Sequence, residues 1–139
     1  MSDVTSCTFC RIIDGTEPAH VVYEDTNAVA FLDREPATEG HTLVVPRVHS
    51  RNLFEIELLD AEELMKSTTL VARLIRRALN PDGLTMLQTN ESAGWQSVFH
   101  VHLHLIPRWN GDGLVLPHKP NRADAETLDA ARLKFVFAE

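Results

Sequence analysis

The chain has 139 residues, with 13 Lys and Arg against 20 Asp and Glu, giving a formal charge of −7. That length fits one domain whose core is large enough to need no disulfides. The acidic balance argues against gripping a nucleic-acid polymer by bulk charge. The oddity is seven His against a single Tyr.

The opening Met1–Cys10 carries neither a basic region nor an apolar run, so no secretory leader is expected. No apolar run approaches the roughly 18–20 residues of a spanning helix, so no membrane association is expected. Together these give the expectation of a cytoplasmic protein. In a reducing compartment the Cys7-x-x-Cys10 pair points to metal or redox chemistry rather than a structural disulfide.

In chain order, Cys10 to Asp14 reads as a short helical turn closed by Asp14-Gly15. His20–Glu24 and Ala28–Asp33 are β-rich, and Asp25-Thr26-Asn27 between them is turn-like, a hairpin signal. His41–Pro46 is a further β-rich run entered through Gly40. Over Asp60–Leu79, Ala61, Leu64, Thr68, Val71, Ile75 and Ala78 recur in steps of three and four, so one helix face is apolar. Asp60 and Glu63 have capping-box spacing, Arg76 and Arg77 suit the C-terminal dipole, and Asn80-Pro81 ends the helix. Leu84–Thr89 reads as a strand, Asn90–Gln96 as a loop and Val98–Ile106 as an alternating strand. Trp109–Arg122, rich in Gly and Pro, reads as a long loop, and Ala123–Lys134 as a short polar helix. The short connections at Tyr23/Ala28 and Thr89/Val98 favour antiparallel pairing. The expectation is an α+β fold: an antiparallel sheet of about five strands with one long helix packed on it. Residues 1–139 are expected to form a single domain, with 110–139 a loop-rich tail.

The run His100-Val101-His102-Leu103-His104-Leu105-Ile106 carries three His at a spacing of two. On a strand they share one face, with successive imidazoles about 7 Å apart, while Val101, Leu103 and Leu105 take the other. Three aligned imidazoles can supply a nucleophile, a general base, an anion stabiliser or metal ligands. A polar face turned to solvent is the bland alternative.

These residues resemble the signature of the histidine triad (HIT) family of nucleotide hydrolases and transferases. The resemblance extends to Gln96-Ser97-Val98, Pro107-Arg108, Asn90, Gly40–Pro46 and the opening Cys7-x-Phe9-Cys10-x-Ile12-Ile13. It implies that His102 attacks the α-phosphorus of a nucleotide to form a nucleotidyl-histidine that water then hydrolyses. By the same resemblance His102 donates to the backbone carbonyl of His100. His104 donates to the phosphate, His41 completes the pocket and Ser97 stands near the leaving group. Asn90, Gln96 and main-chain N–H groups hold phosphate oxygens. Asp33 accepts from the ribose, and Phe9, Ile12 and Leu43 wall the base. Cys7, Cys10, His49 and His100 match the ligands of a structural zinc in a bacterial-type subset. His20 and His118 receive no role.

The resemblance implies a hydrolase that releases a purine nucleoside monophosphate from a phosphoramidate or adenylated compound. It also implies a homodimer joined through the long helix and a sheet edge. Requiring a neutral His102 implies activity that declines as pH falls through about 6.5. Ser97 is similar to the Hint-type phosphoramidases, whereas Pro107–Asp112 resembles dinucleoside-polyphosphate-cleaving branches. Dinucleoside polyphosphate hydrolysis is therefore one alternative, and a non-catalytic nucleotide-binding interaction module is another. One departure stands out: the family has Gly directly before the Gln, where this chain has Trp95.

Overall fold

The computed structural model describes residues 6–138. The elements are α1 (Thr8–Asp14), β1 (Val21–Glu24), β2 (Ala28–Leu32), β3 (Thr42–Pro46), α2 (Leu58–Leu79), β4 (Gly83–Leu87), a 3-10 turn at Ser92–Gly94, β5 (Leu103–Arg108) and α3 (Ala125–Val136). The five strands form one sheet in the order β1-β2-β3-β5-β4. Every neighbouring pair is antiparallel. The expected α+β sheet with one long helix on it is the architecture found.

Strand parity divides the buried residues between two faces. Ala28, Ala30, Val44, Leu103 and Leu105 pack with Leu64, Val71 and Ile75 of α2. Val29, Phe31, Leu43 and Val45 pack on the opposite face with Phe9 of α1. β2 and β3 are covered on both sides, which is why they read as continuous apolar runs rather than alternating ones.

The hairpin β1–β2 turns on Asp25, whose side chain accepts from the N–H groups of Asn27 and Ala28, each at 2.8 Å. The same carboxylate accepts from Tyr23 Oη at 2.8 Å and from Ser67 Oγ on α2 at 2.7 Å. Although burial opposes ionisation, these donors win and hold the Asp25 carboxyl at about 2. Gly40 enters β3 at φ +84, and a Cβ there would overlap the Leu79 side chain. Only glycine meets both demands without cost.

Several boundaries differ from expectation, and those of α2, β5 and α3 bear on the fold. Helix α2 begins at Leu58 with Glu57 as an N-cap that makes no side-chain bond, so Asp60 lies in the first turn and the capping box does not form. Glu63 instead accepts from Asn27 Nδ2 at 3.0 Å, tying the helix to the β1–β2 turn. β5 begins at Leu103 rather than Val98, so the connection from β4 is longer than the Asn90–Gln96 loop. The C-terminal helix appears as α3 with Asp124 capping Thr127 N–H at 2.8 Å, and none of its residues is buried. Among the described residues no helix is long and apolar enough to cross a membrane.

Candidate active site and metal cluster

Beside α1 lies a cavity of about 620 Å³, large enough for a nucleotide-sized ligand. Its apolar wall includes Phe9, Ile12, Phe31, Leu43 and Val98, and its polar wall includes Asp33, Ser97, His102 and His104. The sheet brings these residues together through register: Leu43 on β3 stands opposite His104 on β5. Phe9 stands edge-on to His102, with ring centroids 5.0 Å apart, and to His100 at 5.9 Å. The rings of His102 and His104 are 5.0 Å apart, closer than the 7 Å of a regular strand. His102 lies just outside β5, which begins at Leu103.

Hydrogen bonds assign the ring protons. His102 Nδ1 lies 2.7 Å from the carbonyl oxygen of His100 and donates to it. Its Nε2 therefore carries a lone pair. The backbone N–H of Ala37 donates to His41 Nδ1 at 3.0 Å, so the proton of neutral His41 sits on Nε2. That N–H donates to His104 Nδ1 at 2.9 Å, which places the His104 proton on Nε2. One imidazole thus offers a lone pair and its neighbour on the cavity wall an N–H. Burial lowers all three pKa values from 6.5 and is the largest cause in each. For His104, pushed to about 4, neighbouring His102 and His41 add to the effect. The acid decline expected near 6.5 therefore moves to lower pH.

Asp33 Oδ1 accepts from Glu35 N–H at 2.8 Å, while Oδ2 lies 3.5 Å from His41 Nε2 and 3.9 Å from His104 Nδ1. Asp33, His41 and His104 converge closely enough to suggest a metal site. The tautomers oppose that use, because His41 Nε2 and its proton are committed to His104.

A second cluster lies behind the first. Cys7 caps α1, its Sγ accepting from Cys10 N–H at 3.4 Å. His100 Nε2 donates to the Pro46 carbonyl at 2.8 Å, leaving Nδ1 bare. That Nδ1 lies 3.5 Å from both cysteine sulfurs and 3.1 Å from His49 Nδ1, which is 3.3 Å from Cys10 Sγ. Tetrahedral zinc with Zn–N and Zn–S bonds of about 2.0–2.3 Å requires ligand separations of about 3.3–3.8 Å; the three S–N distances fall within that range and the N–N distance lies 0.2 Å below it. Burial, with Cys7 close by, pushes the Cys10 thiol up to about 12, and burial lowers His100 to about 4. Two crowded thiols and two unprotonated imidazoles are a donor set that a cation would stabilise. His49 Nε2 is buried without a hydrogen-bond partner among the described residues.

Two residues expected on phosphate oxygens are placed otherwise. Gln96 is buried, accepting from Glu91 N–H and donating to the carbonyls of Arg51 and Val98. Asn90 Oδ1 accepts from Leu53 N–H and Gln88 Nε2. Neither lines the cavity. Their amides are spent on closing the loop. Among the described residues the N–H groups of Ser97, Val98 and Phe99 have no internal partner. Three successive free N–H groups can form an anion-binding concavity. Trp95 keeps the left-handed backbone, φ 75, that glycine adopts freely, and its side chain is 67% exposed. His20 and Arg34, given no role from the sequence, also line the cavity. His20 stands there because Leu32 N–H bonds its carbonyl and draws the start of β1 alongside β2.

A five-stranded antiparallel sheet with a His-x-His-x-His run beside a ligand-sized cavity defines a class, and the comparisons agree. The HIT domain profile matches residues 14–111, and the chain belongs to the HIT family. It is 38% identical over 135 residues to the protein hit of Bacillus subtilis, across 96% of this chain and 93% of that one. It is 34% identical over 108 residues to the adenylylsulfatase HINT3 of Arabidopsis thaliana, across 78% of this chain and 55% of that protein. The crystal structure of a Zn-bound histidine triad family protein from Mycobacterium smegmatis superposes with a TM-score of 0.77 at 37% identity, covering 99% of this chain and all of that one. The family thus includes a protein named as a hydrolase and one solved with zinc.

Proposed function

We propose that the protein is a nucleotidyl hydrolase that releases a purine nucleoside monophosphate from a nucleoside phosphoramidate or a related adenylated compound. The carrying observation is the His102 tautomer: Nδ1–H fixed on the His100 carbonyl at 2.7 Å, with the Nε2 lone pair available. In this mechanism Nε2 forms a bond to the α-phosphorus as the bond to the leaving amine breaks. The resulting imidazolium is stabilised through Nδ1–H on the carbonyl. Ser97 on the cavity wall relays a proton to the amine. Water then attacks phosphorus, the N–P bond breaks, and His102 returns to its neutral form with release of a proton. His104 Nε2–H and the free N–H groups of Ser97 and Val98 stabilise charge on the phosphate oxygens. Asp33 Oδ2 serves the ribose hydroxyls, and Phe9, Ile12 and Leu43 enclose the base.

Cys7, Cys10, His49 and His100 would hold a structural zinc, and His100 as a ligand would thereby be fixed two residues before the nucleophile. A homodimer would cover the exposed Met65 and Leu70 of α2 and the Leu84 and Met86 of the sheet-edge strand β4. Side-by-side turnover of adenosine 5′-phosphoramidate and a dinucleoside polyphosphate tests the substrate class. Faster release of AMP from the phosphoramidate supports it. Preference for the polyphosphate moves the assignment to that branch, and binding of AMP with turnover of neither leaves a binding module.

A further inference from the structure

The segment Ser50–Asn52 directly follows His49 and registers the loop that leads into the triad. The Ser50 carbonyl accepts from Val101 N–H at 2.8 Å. The Arg51 carbonyl accepts from Gln96 Nε2 at 2.7 Å. The Arg51 guanidinium donates twice to the Glu91 carboxylate, at 2.7 and 2.8 Å, and stands 4.4 Å over the ring of Phe99. Asn52, 2% exposed, also donates to Glu91. Three consecutive residues thus grip the loop near its start, at Gln96 and Phe99, and at Val101.

This grip has something to hold. Glu91 lies at φ 62, ψ 164, a backbone region that is essentially glycine-only. Such a conformation persists where its surroundings over-determine it. Arg51 and Asn52 converge on that carboxylate, and the Arg51 guanidinium reaches across to Phe99. Between these anchor points lie Ser97, Val98 and Phe99, whose N–H groups have no partner among the described residues.

We infer that Arg51 is a positioning residue for phosphate: its paired bonds to Glu91 and its stacking on Phe99 hold the free N–H groups of Ser97 and Val98, both on the cavity wall, in register for the α-phosphate. The inference rests on the phosphate-site reading above. Arg51 is itself not on the cavity wall and acts through the loop. The role calls for arginine, since lysine can neither form the paired bonds nor stack a planar cation.

The test is calorimetric affinity for AMP and for adenosine, compared in wild type, Arg51→Ala, Arg51→Lys and Glu91→Gln. Adenosine reports the base and ribose walls alone, whereas AMP adds the phosphate. Arg51→Ala is expected to lose roughly tenfold to a hundredfold in AMP affinity with adenosine changed less than about twofold. Arg51→Lys and Glu91→Gln should show smaller losses of the same selective kind. They carry the comparison if Arg51→Ala does not fold. Equal losses for both ligands mean a merely structural role and overturn the inference, as does unchanged AMP affinity. A wild type that binds neither ligand overturns the phosphate-site reading and this inference with it. A wild type that binds both, with no selective loss in the variants, overturns this inference alone.

Discussion

His41 offers the sharpest test of the tautomer assignment. It is buried, with Nδ1 accepting from Ala37 N–H at 3.0 Å and Nε2–H donating to His104 Nδ1 at 2.9 Å. His41→Ala removes both bonds and leaves His104 Nδ1 without its donor. Each unmade bond costs about 1–3 kcal/mol when its partner stays buried, so a stability loss of about 2–4 kcal/mol is expected. The same lost bond is what fixes the His104 proton on Nε2. Removing about 1.5 kcal/mol of that preference changes the tautomer ratio roughly tenfold. Turnover should fall by about twofold from this cause, because His104 then presents an N–H to the phosphate only about half of the time. Nitrogen-15 NMR of the histidine rings reads the protons directly. Wild type should show Nε2–H for His41 and His104 and Nδ1–H for His102, and His41→Ala should show His104 as a mixture. A wild-type His104 protonated on Nδ1, or an unchanged tautomer in the variant, would refute the chain of reasoning. His41→Gln, which keeps a donor, should recover part of the loss.

Other outcomes follow from the same structure. His104 has a folded pKa of about 4 against an ordinary 6.5, so the unfolded chain binds more protons between those values. Stability is therefore full above about 6.5 and falls as pH drops towards 4; in denaturant titrations His104→Asn should flatten that slope by up to about 1.4 kcal/mol per pH unit. An unchanged slope would contradict the assignment. Cys10→Ser should abolish stoichiometric zinc in elemental analysis and lower stability by several kcal/mol, whereas a wild type purified with zinc supplied and holding none would remove the cluster's proposed role. Gly40→Ala should cost about 1–3 kcal/mol, because it combines a positive φ with overlap on Leu79. A neutral result in thermal unfolding would show that both are relieved locally.

What the sequence revealed, and what it hid, follows from the range of the interactions. The triad was legible because strand alternation is a local rule, and His104 with Leu103 and Leu105 obeys it in β5. The start of β5 was not, because Val98–His102 is shaped by bonds to residues 50 and 51 rather than by its own pattern. The boundary of α2 shifted because Asp60 and Glu63 have cap spacing, yet Glu63 is drawn to Asn27, 36 residues away. Arg51 and Glu91 carried no local mark, since their contact spans 40 positions. The Cys7, Cys10, His49 and His100 cluster was available only through family resemblance, because its spacings exceed any local motif. The place of Gln96 and Asn90 in the motif implies phosphate contacts, whereas their amides close the loop. Trp95 shows the reverse case, in which the residue departs from the family while the backbone keeps the glycine conformation.

The central claim is that His102 Nε2 is the nucleophile. Rapid-quench mass spectrometry with a slowly hydrolysed adenosine phosphoramidate addresses it directly. The account predicts an adenylyl group on the His102 peptide during turnover, absent from an inactive His102→Ala variant. An adduct on another residue, or His102→Ala turning over at the wild-type rate, would contradict it.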